Sequence, residues 1–274
     1  FYGGASNTHN LVEGQTLQWG DDIGLAYDGT TPNGDAIGCE SGYWWVAICP
    51  VDMGRSSQFP VTPQPATEQL WTPTAQIGML VNGVHIYGWG DLGSYNDEEV
   101  WWNVAMKYEL YDIDICGQHA AGGDYHDHAY GQCLQEQLGD DGSDKSPIVG
   151  FAADGYPVLG YYVSAGVKAE SCWRKRDYSD VALGGCGDGL RSCILNNPFC
   201  LHDGTSTASK PGPTTDEIVT TLSGIDMTAD SGAYFEDFYY DVTCTAQGEQ
   251  YLDEHNGRED ATYGYVYHLS LIHI

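Results

Sequence analysis

The sequence predicts a mainly β fold: an antiparallel β core with two pseudo-equivalent hairpins, disulfide-rich loops and little helix. The first observation behind this is a repeat. Ile77 to Trp89 aligns without a gap onto Val149 to Tyr161, at a constant offset of 72 residues. Each copy runs apolar residues into a turn, Asn82-Gly83 or Asp154-Gly155, and out again, and such dipeptides favour the positive φ angles of a tight hairpin. The second observation is nine scattered cysteines with no Cys-x-x-Cys pair, which fits structural disulfides in an oxidising compartment. The third is the distribution of aromatic and β-branched runs between glycine-rich breaks, which is the pattern of short strands.

Taken in order, residues 1 to 36 read as an irregular entry with turns at Tyr27-Asp28-Gly29 and Pro32-Asn33-Gly34, and Tyr43 to Cys49 as the first strong strand. Ser56 to Pro73 carries four prolines, so it is expected to be an extended connection. Asp97 to Leu110 suits either a short helix, with acids at its start and Lys107 near its end, or a strand through Trp101 and Trp102. Cys172 to Cys200 reads as a disulfide-tied, glycine-broken insertion, and Gly204 to Asp216 as an exposed linker. Asp237 to Cys244 and Thr262 to His268 complete the expected strands. The domain reading is an N-terminal β or irregular segment at 1–65 packed on a β domain at 66–268, with the cysteine-rich insertion at about 172–216. Leu269 to Ile274 resembles a sequencing-adapter translation, and it is set aside together with His273.

Size does not force reliance on staples, since a chain of 274 residues buries roughly 70% of its unfolded surface. A formal net charge of −29 is spread along the sequence, and such a field repels phosphate backbones and anionic lipid. Nucleic acid and membrane surfaces are therefore not expected partners, and no apolar run reaches spanning length. The chain begins at Phe1 with no basic-then-apolar leader, so it reads as a mature or truncated product, and secretion is inferred from the cysteines alone.

The stretch with chemistry is Cys116 to His128, which holds three of the nine histidines. If Asp124 to His128 is extended, His126 and His128 share one face while Tyr125 and Asp127 take the other. His119, across a Gly-Gly turn, can swing back to supply a third imidazole. Zinc and copper are the metals such a set suits. The competing reading makes these histidines surface residues or hydrogen-bonding groups of the core.

At this point the chain resembles a known family, the YHYH domain. The resemblance rests on Cys116-Gly-Gln-His119, Tyr125-His126-Asp127-His128, Ser146 to Pro157, Leu252 to Arg258 and Thr262 to His268, in that order. It implies an extracellular, mostly β domain and supplies no reaction. Asp127 stands where the second Tyr of the naming motif is expected, His255 where a Cys is common, and the family's segment beyond His268 is missing. His268, which ends a strand in the same block of motifs, becomes the candidate fourth ligand. Asp154 and Asp253 become candidates to fix ring tautomers beside the metal, with turn roles as the alternative for Asp154 and for Asp253-Glu254.

Three functions follow from this reading. The first is a secreted protein binding zinc or copper through the histidine cluster. The second is a metal-dependent hydrolase of an extracellular polymer, with Asp124, Asp127 or Glu254 as base. The third is a non-catalytic adhesion or carbohydrate-binding module that uses its tyrosines and tryptophans to stack on glycans.

Overall fold

The computed structural model describes residues 54, 56–67, 76–109, 116–121, 123–193, 195–196, 207–208, 210–221 and 226–269. The expected entry at 1–36, the strand at Tyr43 to Cys49, and Cys39, Cys49 and Cys200 lie outside them.

The fold is mainly β, as the sequence predicts. Its centre is an eight-stranded sheet. The strands are β1 (Gln76–Leu80), β2 (His85–Tyr87), β5 (Gln118–Ala121), β6 (Asp124–Asp127), β7 (Ile148–Ala152), β8 (Pro157–Leu159), β9 (Gly257–Asp260) and β10 (Gly264–His268). Between β2 and β5 the chain leaves this sheet to form the separate pair β3 (Gly90–Ser94) and β4 (Trp102–Val104), and then one helical turn, α1 (Ala105–Tyr108). Helix α2 (Gln132–Leu138) follows β6. The sheet order is β9-β10-β8-β7-β1-β2-β6-β5.

That order is symmetric about its middle. The two predicted hairpins, β1–β2 and β7–β8, pair antiparallel through Gly78↔Ala152, Met79↔Phe151 and Leu80↔Gly150. Glycine is required at both equivalent positions. A Cβ on Gly78 would lie 2.6 Å from the Phe151 carbonyl oxygen, and one on Gly150 would lie 2.6 Å from that of Met79. On either side a further hairpin joins in parallel, β6 against β2 through Ile86↔Asp127 and β10 against β8 through Val158↔Tyr267. Adding 72 to Ile86 gives Val158, so the pairing repeats even where the sequence does not.

Leu80, Ile86, Val149 and Val158 from the sheet pack with Leu134 of α2, Tyr130 and Tyr161 to form one core. The chain between β2 and β5 and the chain between β8 and β9 together build two more, around Trp101 with Tyr108, Tyr178 and Tyr234, and around Trp102 with Val104, Trp173, Phe235 and Phe238. Inside the first of these, Arg191 is fully enclosed. It forms a two-point ion pair with Asp237 at 2.8 Å and donates to the carbonyls of Pro213, Ala229 and Asp230. Buried Glu236 accepts from the backbone N–H groups of Trp101 and Trp102 at 3.0 and 2.8 Å, while burial pushes its carboxyl up to about 8. These bonds hold Trp101 in a left-handed conformation, φ 58°, at the entrance to β4.

Asp97 to Leu110 thus holds a little of both alternatives, the short strand Trp102–Val104 and then the single turn of α1. From Asp237 to Cys244, Phe238–Tyr240 is strand, preceded by a 3-10 turn and followed by turns. Thr262 to His268 gives β10, paired within the main sheet as expected. Residues 56–67 contain neither strand nor helix. Among the described residues, three disulfides join Cys116 to Cys133, Cys172 to Cys244 and Cys186 to Cys193, the last within the predicted insertion.

Candidate metal centre

The β5–β6 hairpin sets His119 directly opposite His126. His126 and His128 are two residues apart and turn their rings to the same side, as the alternation predicts. The three side chains are almost sealed from solvent, at 3%, 1% and 4% exposure for His119, His126 and His128. Their Nε2 atoms converge: His126 to His128 is 3.1 Å and His119 to His128 is 3.4 Å. A fourth donor closes the group. Glu109, just past α1, brings Oε2 to 3.0 Å from His128 Nε2 and 3.3 Å from His119 Nε2. All four ligand atoms lie within 4.8 Å of one another.

These separations match a coordination shell. Bonds of about 2.0–2.1 Å to a central ion place neighbouring donors about 3.3 Å apart in a tetrahedron and about 3.0 Å apart in an octahedron. Protonation points the same way. His126 Nδ1 donates to the Asp124 carbonyl at 2.8 Å, and His128 Nδ1 donates to the Gly88 carbonyl at 2.7 Å. In the neutral ring that leaves Nε2 as a bare lone pair, the form a metal takes. Burial, followed by the neighbouring His119 and His128, keeps His126 well below the ordinary imidazole range, so this ring is neutral at pH 7. Burial works to raise the Glu109 pKa, but His119 and His128 outweigh it and hold the carboxyl below its usual range.

A supporting layer orients the rings. Tyr87 stacks on His126 at 3.9 Å between centroids, and its hydroxyl donates to Asp124 Oδ2 at 2.8 Å. The Asp124 carboxylate also pairs with His85 Nδ1 at 2.9 Å. On the opposite face Tyr125 packs against Cys116 and Cys133. Asp127 accepts from Gln118 Nε2 at 3.0 Å and from the backbone N–H groups of Ala129 and Gly131. It therefore fastens the turn out of the histidine strand and takes no part in the shell, and burial lifts its carboxyl to about 7.

Several sequence expectations need correction. His268 is not part of the cluster. It lies five strands away from β6, roughly 24 Å along the sheet at 4.8 Å per strand. The symmetry explains where it went: His268 Nδ1 donates to the Gly160 carbonyl at 2.7 Å, as His128 does to Gly88, and Gly88 and Gly160 are repeat partners. His268 is thus the counterpart of His128. In that half Val266 replaces His126 and Arg258 replaces His119, and no second cluster forms among the described residues. Asp154 and Asp253 do not fix imidazoles; they accept from the hydroxyls of Tyr267 and Tyr265, both at 2.7 Å, and cap their own turns. Glu254 is half-exposed, and its carbonyl accepts from the Trp173 indole. The tautomer-fixing role belongs instead to the carbonyls of Asp124 and Gly88. Glu109 is absent from the sequence-derived ligand set because nothing in its local sequence marks it. Only the excursion through β3, β4 and α1 carries it to the hairpin.

A family model described as YHYH protein matches residues 56–271. No curated protein and no solved structure matches the chain.

Proposed function

This chain belongs to the YHYH protein family, and on that premise we propose that it is a secreted protein that binds one zinc or copper ion through His119, His126, His128 and Glu109. The observation that carries this reading is the meeting of four donor atoms at coordination spacing, two of them with Nδ1 committed to a backbone carbonyl. Without a cation, His126 Nε2 and His128 Nε2 lie 3.1 Å apart, and neutral rings with both Nδ1 atoms protonated would set lone pair against lone pair, an arrangement that costs free energy unless a proton or a metal ion joins them. Nitrogen and carboxylate donors without sulfur suit Zn(II) or Cu(II) over Cu(I). Secretion is supported by the three disulfides.

Four protein donors fill a tetrahedral shell, which is how structural metal sites are built. A hydrolytic role would require Glu109 to yield its place to water. Stacking on glycans has less support, because Tyr156, Tyr265 and Tyr267 pack edge-to-face on one another instead of forming an open platform.

The test is titration of the metal-stripped protein with zinc and with copper, beside a His126→Ala/His128→Ala protein. The expected result is one ion per chain and at least a hundredfold weaker binding in the variant. Equal affinity in the two proteins removes the reading.

A further inference from the structure

The Cys116–Cys133 disulfide closes a loop with a sequence separation of 17, and His119, His126 and His128 all lie inside it. Cys116 sits two residues ahead of β5 and Cys133 in the first turn of α2, so the covalent bond ties together both ends of the ligand-bearing hairpin. Backbone pairing joins that hairpin to the sheet only briefly, and the bonds of Asp124 with Tyr87 and His85 and of His128 with Gly88 complete the join. β5 is an edge strand, and β6 meets β2 over only two register pairs, His85↔His126 and Ile86↔Asp127.

The other half of the molecule provides a comparison. Its equivalent hairpin, β9–β10, contains no cysteine. It is fastened by Asp260, which accepts from Lys145 Nζ at 3.0 Å and from Arg258 at 3.4 Å. The hairpin that carries His119 and His126 has a disulfide across its ends, and its counterpart has an ionic knot.

We propose that Cys116–Cys133 is a redox latch on the metal centre, so that reducing the disulfide releases the ion and binding the ion protects the disulfide. The inference rests on the metal reading above. The reductant is a dithiol. Its thiolate attacks one protein sulfur and the S–S bond breaks. The second thiolate of the dithiol then displaces the mixed disulfide, so two electrons and two protons end on Cys116 and Cys133 and the dithiol leaves as its own disulfide. Cys133 is the less buried sulfur, and attack there expels the Cys116 thiolate into a site only 8% exposed; opening of the hairpin lets that thiolate reach water, and an ion bridging His119, His126 and His128 to Glu109 opposes that opening. Linkage makes the effect reciprocal at equilibrium: the factor by which the disulfide tightens metal binding is the factor by which metal shifts the dithiol–disulfide balance toward the disulfide, while the slower opening of the hairpin shows in the rate. Closing a loop of this length confines the open chain enough to set the factor at about ten to a hundredfold.

The experiment uses the full chain, with and without saturating zinc, and a phosphine reductant that competes weakly for the ion. Alkylation followed by peptide mapping reads each disulfide separately. Zinc is expected to slow reduction of Cys116–Cys133 at least tenfold and to leave Cys186–Cys193 unaffected. In parallel, a Cys116→Ser/Cys133→Ser protein is expected to bind zinc ten to a hundredfold more weakly, and a Cys186→Ser/Cys193→Ser protein to bind it as the parent does. Should the first variant fail to fold, the protection arm decides alone. Zinc bound with no change in reduction rate overturns the latch and leaves the metal reading standing. A parent protein that binds neither zinc nor copper overturns both.

Discussion

His119 and His126 face each other across the β5–β6 ladder, with ring centroids 4.4 Å apart. Two imidazoles are therefore brought together by strand pairing, and the third follows at the next same-side position. A site built on paired strands is held more rigidly than one built on loops. Glu109 arrives from a different part of the chain, and its side chain remains 19% exposed. It is the least constrained of the four donors, and this division guides the first prediction.

Replacing Glu109 by Gln is expected to weaken zinc binding by about ten to a hundredfold, less than the loss of two imidazoles. Competition with a chromophoric chelator measures it. An unchanged constant would mean that the three rings hold the ion alone.

Arg191→Met is expected to destabilise the fold by about 3–5 kcal/mol in chemical denaturation, because it strands a buried carboxylate. Removing Asp237 as well is not expected to restore stability. That carboxylate also accepts from the backbone of Gly232 and Tyr234 and from the Tyr178 hydroxyl, and those donors would lose their acceptor.

His268 gives an acid-sensitivity prediction. Burial lowers its pKa from 6.5 to about 4. Above about pH 6.5 both folded and unfolded chains carry the neutral ring. As pH falls toward 4, the unfolded chain takes up a proton that the folded one refuses, and stability drops by up to about 1.4 kcal/mol per pH unit, about 3 kcal/mol in all. His268→Gln keeps a donor for Gly160 and should flatten the decline of stability between pH 6.5 and 4. Its zinc affinity should equal that of the parent, in line with its distance from the cluster.

The counterpart relationship predicts a gain of function. Introducing Arg258→His and Val266→His places two imidazoles beside His268 at the positions His119 and His126 occupy around His128. A second, weaker zinc equivalent in isothermal titration is the expected outcome. A single equivalent would show that the shared register does not carry shared ligand geometry.

The parts legible in the sequence were those set by local chemistry. Asn82-Gly83 and Asp154-Gly155 specified their hairpins, and period-two alternation put His126 and His128 on one side. What stayed hidden depends on contacts far apart in the chain. The parallel joins of β6 to β2 and of β10 to β8 leave no local signature, so His268 could not be assigned to the opposite half, nor Glu109 to the site. The segment before α1 stays open between helix and strand for a different reason. Its acids suit a helix start, but Asn96, Asp97, Glu99 and Trp101 all adopt positive φ, a conformation sustained by tertiary bonds such as those from Glu236.

The parallel seam between β2 and β6 also affects how the molecule is assembled. Between His85 and its neighbour His126 the polypeptide makes a long detour, and Glu109 travels on that detour. All four donors can meet only once the detour has returned and docked. Occupancy of the centre would therefore report that the detour has docked, a checkpoint written into the order of the strands.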